Sequence, residues 1–218
     1  VALSLKQWGP EWHVMVGGGL AGVLFAIVLA LIMALASLRV RAIFFAMITL
    51  AVASAFGILV SQLFEITGGE DGLSYKVPKV LTPAFKLIDQ KIFDVTINGR
   101  VLAYYLVFVG AAVLFLLLLR VVNSPFGRVL QAVRENEFRA EALGYKTVYY
   151  RAVATAISAG VAALAGALFA IWLRYTGPET TLSLELMIDI LVMLVIGGMG
   201  TMYGVILGGT IFVLAETY

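Results

Sequence analysis

Residues Val14–Leu38 read VMVGGGLAGVLFAIVLALIMALASL, a run of 25 residues that contains no aspartate, glutamate, lysine or arginine. As an α-helix this run would be about 37 Å long, enough to cross the roughly 30 Å hydrocarbon core of a bilayer. Apolar residues would lie on every side of the helix, so it lacks the polar face of a helix that packs on a soluble core. The stretch therefore predicts a membrane-spanning helix.

Four more apolar runs follow along the chain. Three contain none of the four charged residue types, and the last contains one acid, Asp189, among its 30 residues. The alternating pattern of barrel strands is absent, and a backbone in lipid must satisfy its own hydrogen bonds, so helices are predicted. The predicted fold class is all-α, a polytopic transmembrane helical bundle that forms a single domain over residues 1–218. The predicted spans are 14–38, 42–64, 101–119, 152–173 and 186–215.

The composition of the whole chain excludes several classes of protein. Apolar residues make up 62% of the 218 residues and charged residues only 13%, whereas soluble domains have about 45–50% and about 25%. A soluble enzyme, a nucleic-acid-binding module and a disordered chain are therefore poor fits. No cysteine is present, and no nucleophile–base pair or cluster of metal ligands stands out, so neither catalytic nor metal-binding residues are predicted.

The positions of lysine and arginine predict the orientation in the membrane. The connection 120–151 carries six basic residues, and the short turn after the first span carries Arg39 and Arg41. Positive charge near span ends marks the cytoplasmic side, so these connections are predicted to be cytoplasmic and the loop 65–100 to be periplasmic. A short amphipathic helix is expected after Thr82–Pro83, where it would cap the bundle or bind an extracytoplasmic partner.

The fifth run contains a candidate break at Gly197–Gly200, where three of four residues are glycine. Interrupted helices in membranes often line cavities, and a simple kink is an equally good interpretation. The sequence leaves open whether the run crosses the membrane once or turns back. It also allows Asp189 to reach the outer interface and the hydroxyl side chains to bond their own helices. Candidate residues of a substrate pathway are Thr49, Ser54, Ser61, Gln62, Asp189, Gly197, Gly198 and Gly200.

The connection 120–151 is the most informative segment. Ser124-Pro125 is typical of an N-cap followed by the first residue of a helix, which is predicted to end near Arg134. Asn136 is predicted to cap a second short helix, with Gly144 just beyond its end. Two short charged helices with a small apolar face favour a docking element for a soluble partner, and a solvated loop is the alternative.

The same connection resembles a known family. Residues 124–145 and the Ala- and Gly-rich span that follows are similar to the permease of branched-chain amino acid ABC importers of the LivM type. Residues 38–51 resemble the arginine turn and following span of that family, and residues 195–209 resemble its glycine-rich C-terminal segment. The resemblance covers nearly the whole chain.

The resemblance implies a multi-pass protein of the bacterial inner membrane that works in a larger assembly. Its partners would be a second homologous permease subunit, two cytoplasmic ATP-binding subunits, a periplasmic substrate-binding protein and the lipid bilayer, with no nucleic acid. ATP would bind to the partner subunits, and this chain would hold no cofactor. Family members carry further hydrophobic segments, so the chain is expected to be N-terminally incomplete. The residues implied to contact the ATPase are Glu137, Phe138, Glu141, Ala142 and Gly144.

The predicted function is that of a transmembrane permease subunit and not that of an enzyme. It would move branched-chain or related small amino acids by alternating access driven by the partner ATPases. The sequence supports the need for such partners, because it contains no phosphate-binding loop and no span with paired ionisable residues. The alternatives are a urea or amide importer permease of the same family and a passive small-solute channel.

Overall fold

The computed structural model describes residues 1–37, 42–82, 99–198 and 200–217. The predicted arginine turn and the predicted helix after Thr82 lie outside these residues. Two 3₁₀ turns, Gly69–Asp71 and Lys79–Leu81, lie between the fourth and fifth helices. The other described elements are α1 (Ala2–Trp8), α2 (Trp12–Ser37), α3 (Ala42–Gln62), α4 (Phe64–Thr67), β1 (Leu73–Ser74), α5 (Gly99–Val122), α6 (Pro125–Glu135), α7 (Glu137–Ala142), α8 (Thr147–Leu173), β2 (Tyr175–Thr176), α9 (Pro178–Thr181), α10 (Leu184–Gly197) and α11 (Met202–Thr217).

The predicted all-α fold class is confirmed. The helices α2, α5 and α8 contain 26, 24 and 27 residues, and their apolar stretches are long enough to cross a membrane. The helix α8 begins at Thr147, five residues before the predicted span, because backbone hydrogen bonding continues beyond the apolar part of the helix. The connection between α5 and α8 is correspondingly shorter than predicted.

Contacts divide the chain into two compact units. The first unit comprises residues 1–52 and 73–176, and the second comprises residues 53–72 and 177–218. In the first unit α2 and α5 both pack against α8. Gly160 of α8 faces Ile27 of α2, and a methyl group at Gly160 would lie 3.5 Å from the Ile27 side chain, which is an ordinary van der Waals contact.

The buried apolar core of the first unit lies at one end of its helices, and we call this region the cap. The short strands β1 and β2 pair antiparallel there, with Leu73 opposite Thr176. Elsewhere many large apolar side chains are exposed, for example Phe25 at 60% and Leu116 at 62%, as expected where lipid or other subunits cover the helices. The buried residues of the cap are Leu5, Val14, Met15, Leu73, Tyr75, Val77, Leu81, Ala103 and Ile171.

Tyr75 joins β1 to the end of α8. Its hydroxyl donates to the carbonyl oxygen of Ala170 at 2.7 Å and lies 3.1 Å from the Thr176 hydroxyl. Because the single phenolic proton points to Ala170, the Thr176 hydroxyl is the donor in the second bond. Burial raises the pKa of Tyr75 above its ordinary value of 10.0, and the bond from Thr176 opposes that shift. The hydroxyl is therefore neutral at physiological pH and acts as a donor.

Replacement Tyr75→Phe is expected to destabilise the permease by about 1 kcal/mol, because a part-buried carbonyl loses a donor. The raised pKa of Tyr75 determines how the difference in stability between the two proteins depends on pH. The stabilising contribution of the neutral hydroxyl is present in full below pH 10 and is lost as the pH rises towards the higher folded-state pKa. Denaturation of both proteins at pH 7 measures the effect, and equal midpoints would contradict it.

The second unit contains a hairpin formed by α10 and α11. Met193 and Gly197 of α10 contact Gly208 of α11, and Gly197 also contacts Gly204, so the two helices run antiparallel. A Cβ atom on Gly208 would lie 2.7 Å from the backbone nitrogen of Gly197, which shows that the two backbones touch. The run 186–215 therefore breaks at the predicted glycines and folds back on itself.

Two residues define the turn of this hairpin. Gly198 has φ +87°, in the region that only glycine adopts without strain. The Thr201 hydroxyl accepts a hydrogen bond from the Gly204 N–H at 3.2 Å and so caps the start of α11. With 14 and 16 residues, α10 and α11 are about 21 and 24 Å long. Residues Pro178–Gly197, which include α9 and α10, are long and apolar enough to cross a membrane, whereas α11 is a shorter apolar helix.

Candidate functional site

The helices α6 and α7, with the residues 123–146 that contain them, form a structured connector between α5 and α8. Ser124 accepts a hydrogen bond from the Gly127 N–H at 3.4 Å, and Pro125 is the first residue of α6. The Asn136 side chain accepts from the Arg139 N–H at 2.9 Å and caps α7. Both caps occur at the residues that the sequence predicts, because each side chain supplies an acceptor for a free N–H group of the first turn.

The connector ends in a tight glycine turn. The N–H of Gly144 bonds the carbonyl oxygen of Glu141 at 2.8 Å, and the N–H of Tyr145 bonds that of Ala140 at 3.2 Å. These two bonds form a Schellman motif, which satisfies the last carbonyl groups of α7. Gly144 has φ +91°, so its role here is to reverse the chain towards α8.

Replacement Gly144→Ala is expected to destabilise the connector by about 1 kcal/mol, since an alanine at this φ has a Cβ too close to its own backbone. A Cβ at this position would have no neighbour within 4 Å, so the cost comes from the backbone and not from crowding. Gly144→Asn should cost less, because asparagine tolerates positive φ. Limited proteolysis of the connector in the purified permease measures the effect. Cleavage should be slowest with glycine at position 144, faster with asparagine and fastest with alanine. Equal cleavage of all three would contradict the prediction.

Two carboxylates of α7 are bonded to the start of α8. Glu137 forms an ion pair with Arg151 at 2.7 Å, and the Glu141 carboxylate accepts a hydrogen bond from the Thr147 hydroxyl, also at 2.7 Å. Thr147 is only 1% exposed. Two of the five residues expected to contact an ATPase therefore have bonds within this chain, and these bonds attach α7 to a long apolar helix.

Aromatic rings make a second attachment that the sequence analysis did not predict. Phe126 of α6 stacks on Tyr150 of α8 at 5.6 Å, and Tyr145 meets the same ring edge-on at 6.0 Å. A methyl group at Gly127 would overlap the carbonyl oxygen of Val122, so α6 also packs directly on the end of α5. The adjacent tyrosines at positions 149 and 150 could have indicated an aromatic contact in this region, but a single sequence does not reveal which rings pack together.

Another side of α7 carries exposed apolar residues. Phe138 is 82% exposed and Leu143 72% exposed, and Ala142, one turn after Phe138, is also exposed. Beside them lies a groove of about 220 Å³ lined by residues of α6, of α7 and of the turn after α7, including Glu135, Arg139 and Leu143. A large exposed phenylalanine next to a charged groove makes this side of α7 a candidate docking surface for another protein.

The candidate pathway residues fall into two sets. Ser54 and Gln62 are exposed on α3, and the Ser61 hydroxyl donates to the Gly57 carbonyl of its own helix at 3.1 Å. Asp189 is half-buried on α10, and Gly197, Gly198 and Gly200 lie at the hairpin turn. Within the described part of the chain, no group of three or more metal-ligating side chains occurs. Thr49 is half-buried on α3, and the pathway role of all these residues stays a prediction.

Long apolar helices joined by a short, charged and structured connector define a multi-pass α-helical membrane protein. The sequence profile described as "Branched-chain amino acid transport system / permease component" matches residues 1–218. The chain belongs to this family of transport permeases and is a multi-pass protein of the inner membrane.

Relatives with established names support the same family. The "High-affinity branched-chain amino acid transport system permease protein LivM" of Salmonella typhimurium is 31% identical over 192 residues, which is 82% of this chain and 45% of that protein. The protein of the same name in Escherichia coli gives the same values. A probable branched-chain amino acid transport permease protein LivM of Methanocaldococcus jannaschii is 29% identical over 167 residues, 77% of this chain and 45% of that protein. The chain thus spans just under half the length of these relatives. No solved structure gives a significant match.

Proposed function

We propose that this chain is the membrane permease part of an ATP-binding-cassette importer for branched-chain amino acids. Its partners are a second homologous permease subunit, two cytoplasmic ATP-binding subunits and a periplasmic substrate-binding protein. Membership of the transport-permease family supports the general role, and the names of the relatives support the substrate class. The observation that carries the ATP-driven mechanism is the exposed apolar face of α7 around Phe138.

The contacts of the connector would allow a movement of a docked ATPase to displace the membrane helices. A partner that holds Phe138 would move α7, which is tied to α8 by the Glu137–Arg151 ion pair and the Glu141–Thr147 hydrogen bond. The same movement reaches α5 through Gly127, which contacts its last residues. Closing of the ATP-binding subunits would therefore displace α5 and α8 together and switch the access of the substrate site from one side to the other.

Glu141 has a different role in this proposal from the one implied by family resemblance alone. Its carboxylate accepts the Thr147 hydroxyl at 2.7 Å, so it positions α7 on α8. A reversal of its charge would disturb both this bond and any contact with a partner. Phe138 makes no such bond and is the cleaner residue with which to test docking.

Uptake of labelled leucine into proteoliposomes tests the proposed function. The complete transporter, with its ATP-binding subunits and substrate-binding protein, is reconstituted with and without ATP on the side of the ATP-binding subunits. We expect concentrative uptake only with ATP, and competition by isoleucine and valine. Equal uptake without ATP would instead support a passive channel, and competition by urea or acetamide but not by valine would support an amide importer.

A further inference from the structure

The first unit carries an apolar groove that its described residues leave open. The groove has a volume of about 590 Å³ and runs between α5 and α8. All twelve of its lining residues are apolar or aromatic, from Tyr104 to Leu118 on α5 and from Val161 to Trp172 on α8. Fourteen helical steps along α5 correspond to about 21 Å, which exceeds the roughly 15 Å depth of one leaflet of the hydrocarbon core.

A second cavity of about 290 Å³ adjoins the groove at the cap. It is lined by Arg100, Trp172, Leu173 and Arg174, and Trp172 lines both cavities. The Trp172 ring also meets Tyr104 edge-on at 6.2 Å. Tryptophan and tyrosine side chains concentrate at the level of the lipid headgroups, so the aromatic pair places the two arginines at headgroup depth.

The two arginines have unused hydrogen-bonding capacity. Arg174 donates one Nη2 bond to the Leu81 carbonyl oxygen at 2.9 Å, but its Nε is buried and has no partner among the described residues. No ion pair joins Arg100 or Arg174 to a carboxylate of the described chain. Arg174 is also the one non-glycine residue with positive φ, +58°, in the described ranges. The buried Nε of Arg174 is not accessible to a ligand, but the exposed guanidinium of Arg100 and that of Arg174 line the same cavity, and together they match the oxygens of a phosphodiester.

We infer that the groove and the arginine pair together bind one anionic phospholipid. Its acyl chains lie in the apolar groove between α5 and α8, and its phosphate lies between Arg100 and Arg174. The occupant is a lipid rather than another helix, because the apolar groove ends at the membrane interface in two positive charges that no carboxylate of the described residues pairs with. A phospholipid supplies both an apolar chain and a negative group at these positions.

Native mass spectrometry of the complete, delipidated transporter tests this inference. The probes are dioleoylphosphatidylglycerol, which is anionic, and dioleoylphosphatidylcholine, which is zwitterionic. We expect one tightly retained phosphatidylglycerol per permease and little retained phosphatidylcholine. Replacement Arg100→Gln or Arg174→Gln should each weaken phosphatidylglycerol retention about fivefold. Arg100 is exposed, so its replacement does not threaten folding.

Two further variants separate the parts of the site. Ala165→Phe fills the groove with an aromatic ring and should also release the lipid, whereas Lys76→Gln removes an exposed positive charge of the cap outside the site. The Lys76 variant should retain phosphatidylglycerol like the unmodified protein. Equal retention of both lipids, or loss in the Lys76 variant as well, would overturn the inference.

The remaining outcomes identify another occupant. Displacement of phosphatidylglycerol by inorganic phosphate alone, with no effect of Ala165→Phe, would show that the site binds small anions. This result would overturn the inference that it binds a phospholipid. A cysteine placed at Ala165 that forms a crosslink to a partner subunit in the assembled transporter would mean that a protein helix fills the groove. Neither result would affect the ATP-dependent uptake, so the proposed transport function is tested separately.

Discussion

Replacement Phe138→Asp is expected to reduce ATP-driven uptake of leucine about 30-fold, the effect of removing an aromatic side chain at the centre of an interface. The side chain is 82% exposed, so the folded permease loses almost no packing when the ring is removed. An aspartate would place an unpaired charge against an apolar pocket of the proposed ATP-binding subunit. Transport by reconstituted complexes, normalised to the amount of permease, measures the effect.

The conservative variant Phe138→Leu is the matched control for this experiment. It keeps an apolar side chain at the same position and should retain most of the uptake. Co-purification of the ATP-binding subunits separates loss of docking from loss of a later step. Full uptake by the aspartate variant would contradict the docking role of α7, and loss of folded permease would contradict the exposure of Phe138.

Replacement Gly208→Ala is expected to destabilise the permease by about 3 kcal/mol. The new methyl group would overlap the Met193 carbonyl oxygen and lie 2.7 and 2.8 Å from the backbone nitrogen and Cα of Gly197. Backbone atoms cannot rotate away as a side chain can, so α10 and α11 would have to separate. A lower denaturation midpoint of the purified permease, together with lower uptake, would report this separation.

Gly209 offers a control on the neighbouring residue of the same helix. A Cβ at Gly209 has nothing within 4 Å, and alanine is the better helix former by up to about 1 kcal/mol. The Gly209→Ala variant should therefore be as stable as the original protein or more stable. Equal destabilisation by both replacements would mean that the hairpin contact between α10 and α11 does not exist.

The fold class could be predicted from the sequence because a helix in lipid requires a continuous run of apolar residues, which is visible locally in the sequence. A run such as Val14–Leu38 must be apolar on every side and must form a helix, whatever its neighbours are. Helix caps are equally local, since Ser124 and Asn136 act on N–H groups only three residues away. For the same reason the break at Gly197–Gly200 is visible in the sequence, as three glycines in four residues.

The pairing of helices could not be predicted in the same way. The glycine break was compatible with one kinked span, and only the contact of Gly208 with Gly197 shows that the chain turns back. Family resemblance grouped Glu137, Phe138 and Glu141 by their place in the sequence. The structure separates them, because Glu137 and Glu141 bond to α8 and Phe138 is largely exposed.

The sequence by itself determined that this protein is a membrane-spanning bundle with a charged, two-helix connector, because each of these features depends on neighbours within a few residues. The tertiary structure decided which faces meet and which remain open. It brought Arg100 beside Arg174, 74 positions away in the sequence, and it formed an apolar groove between α5 and α8 that the described residues leave open. Such contacts depend on the packing of whole helices, and a pattern read along one chain does not contain that information.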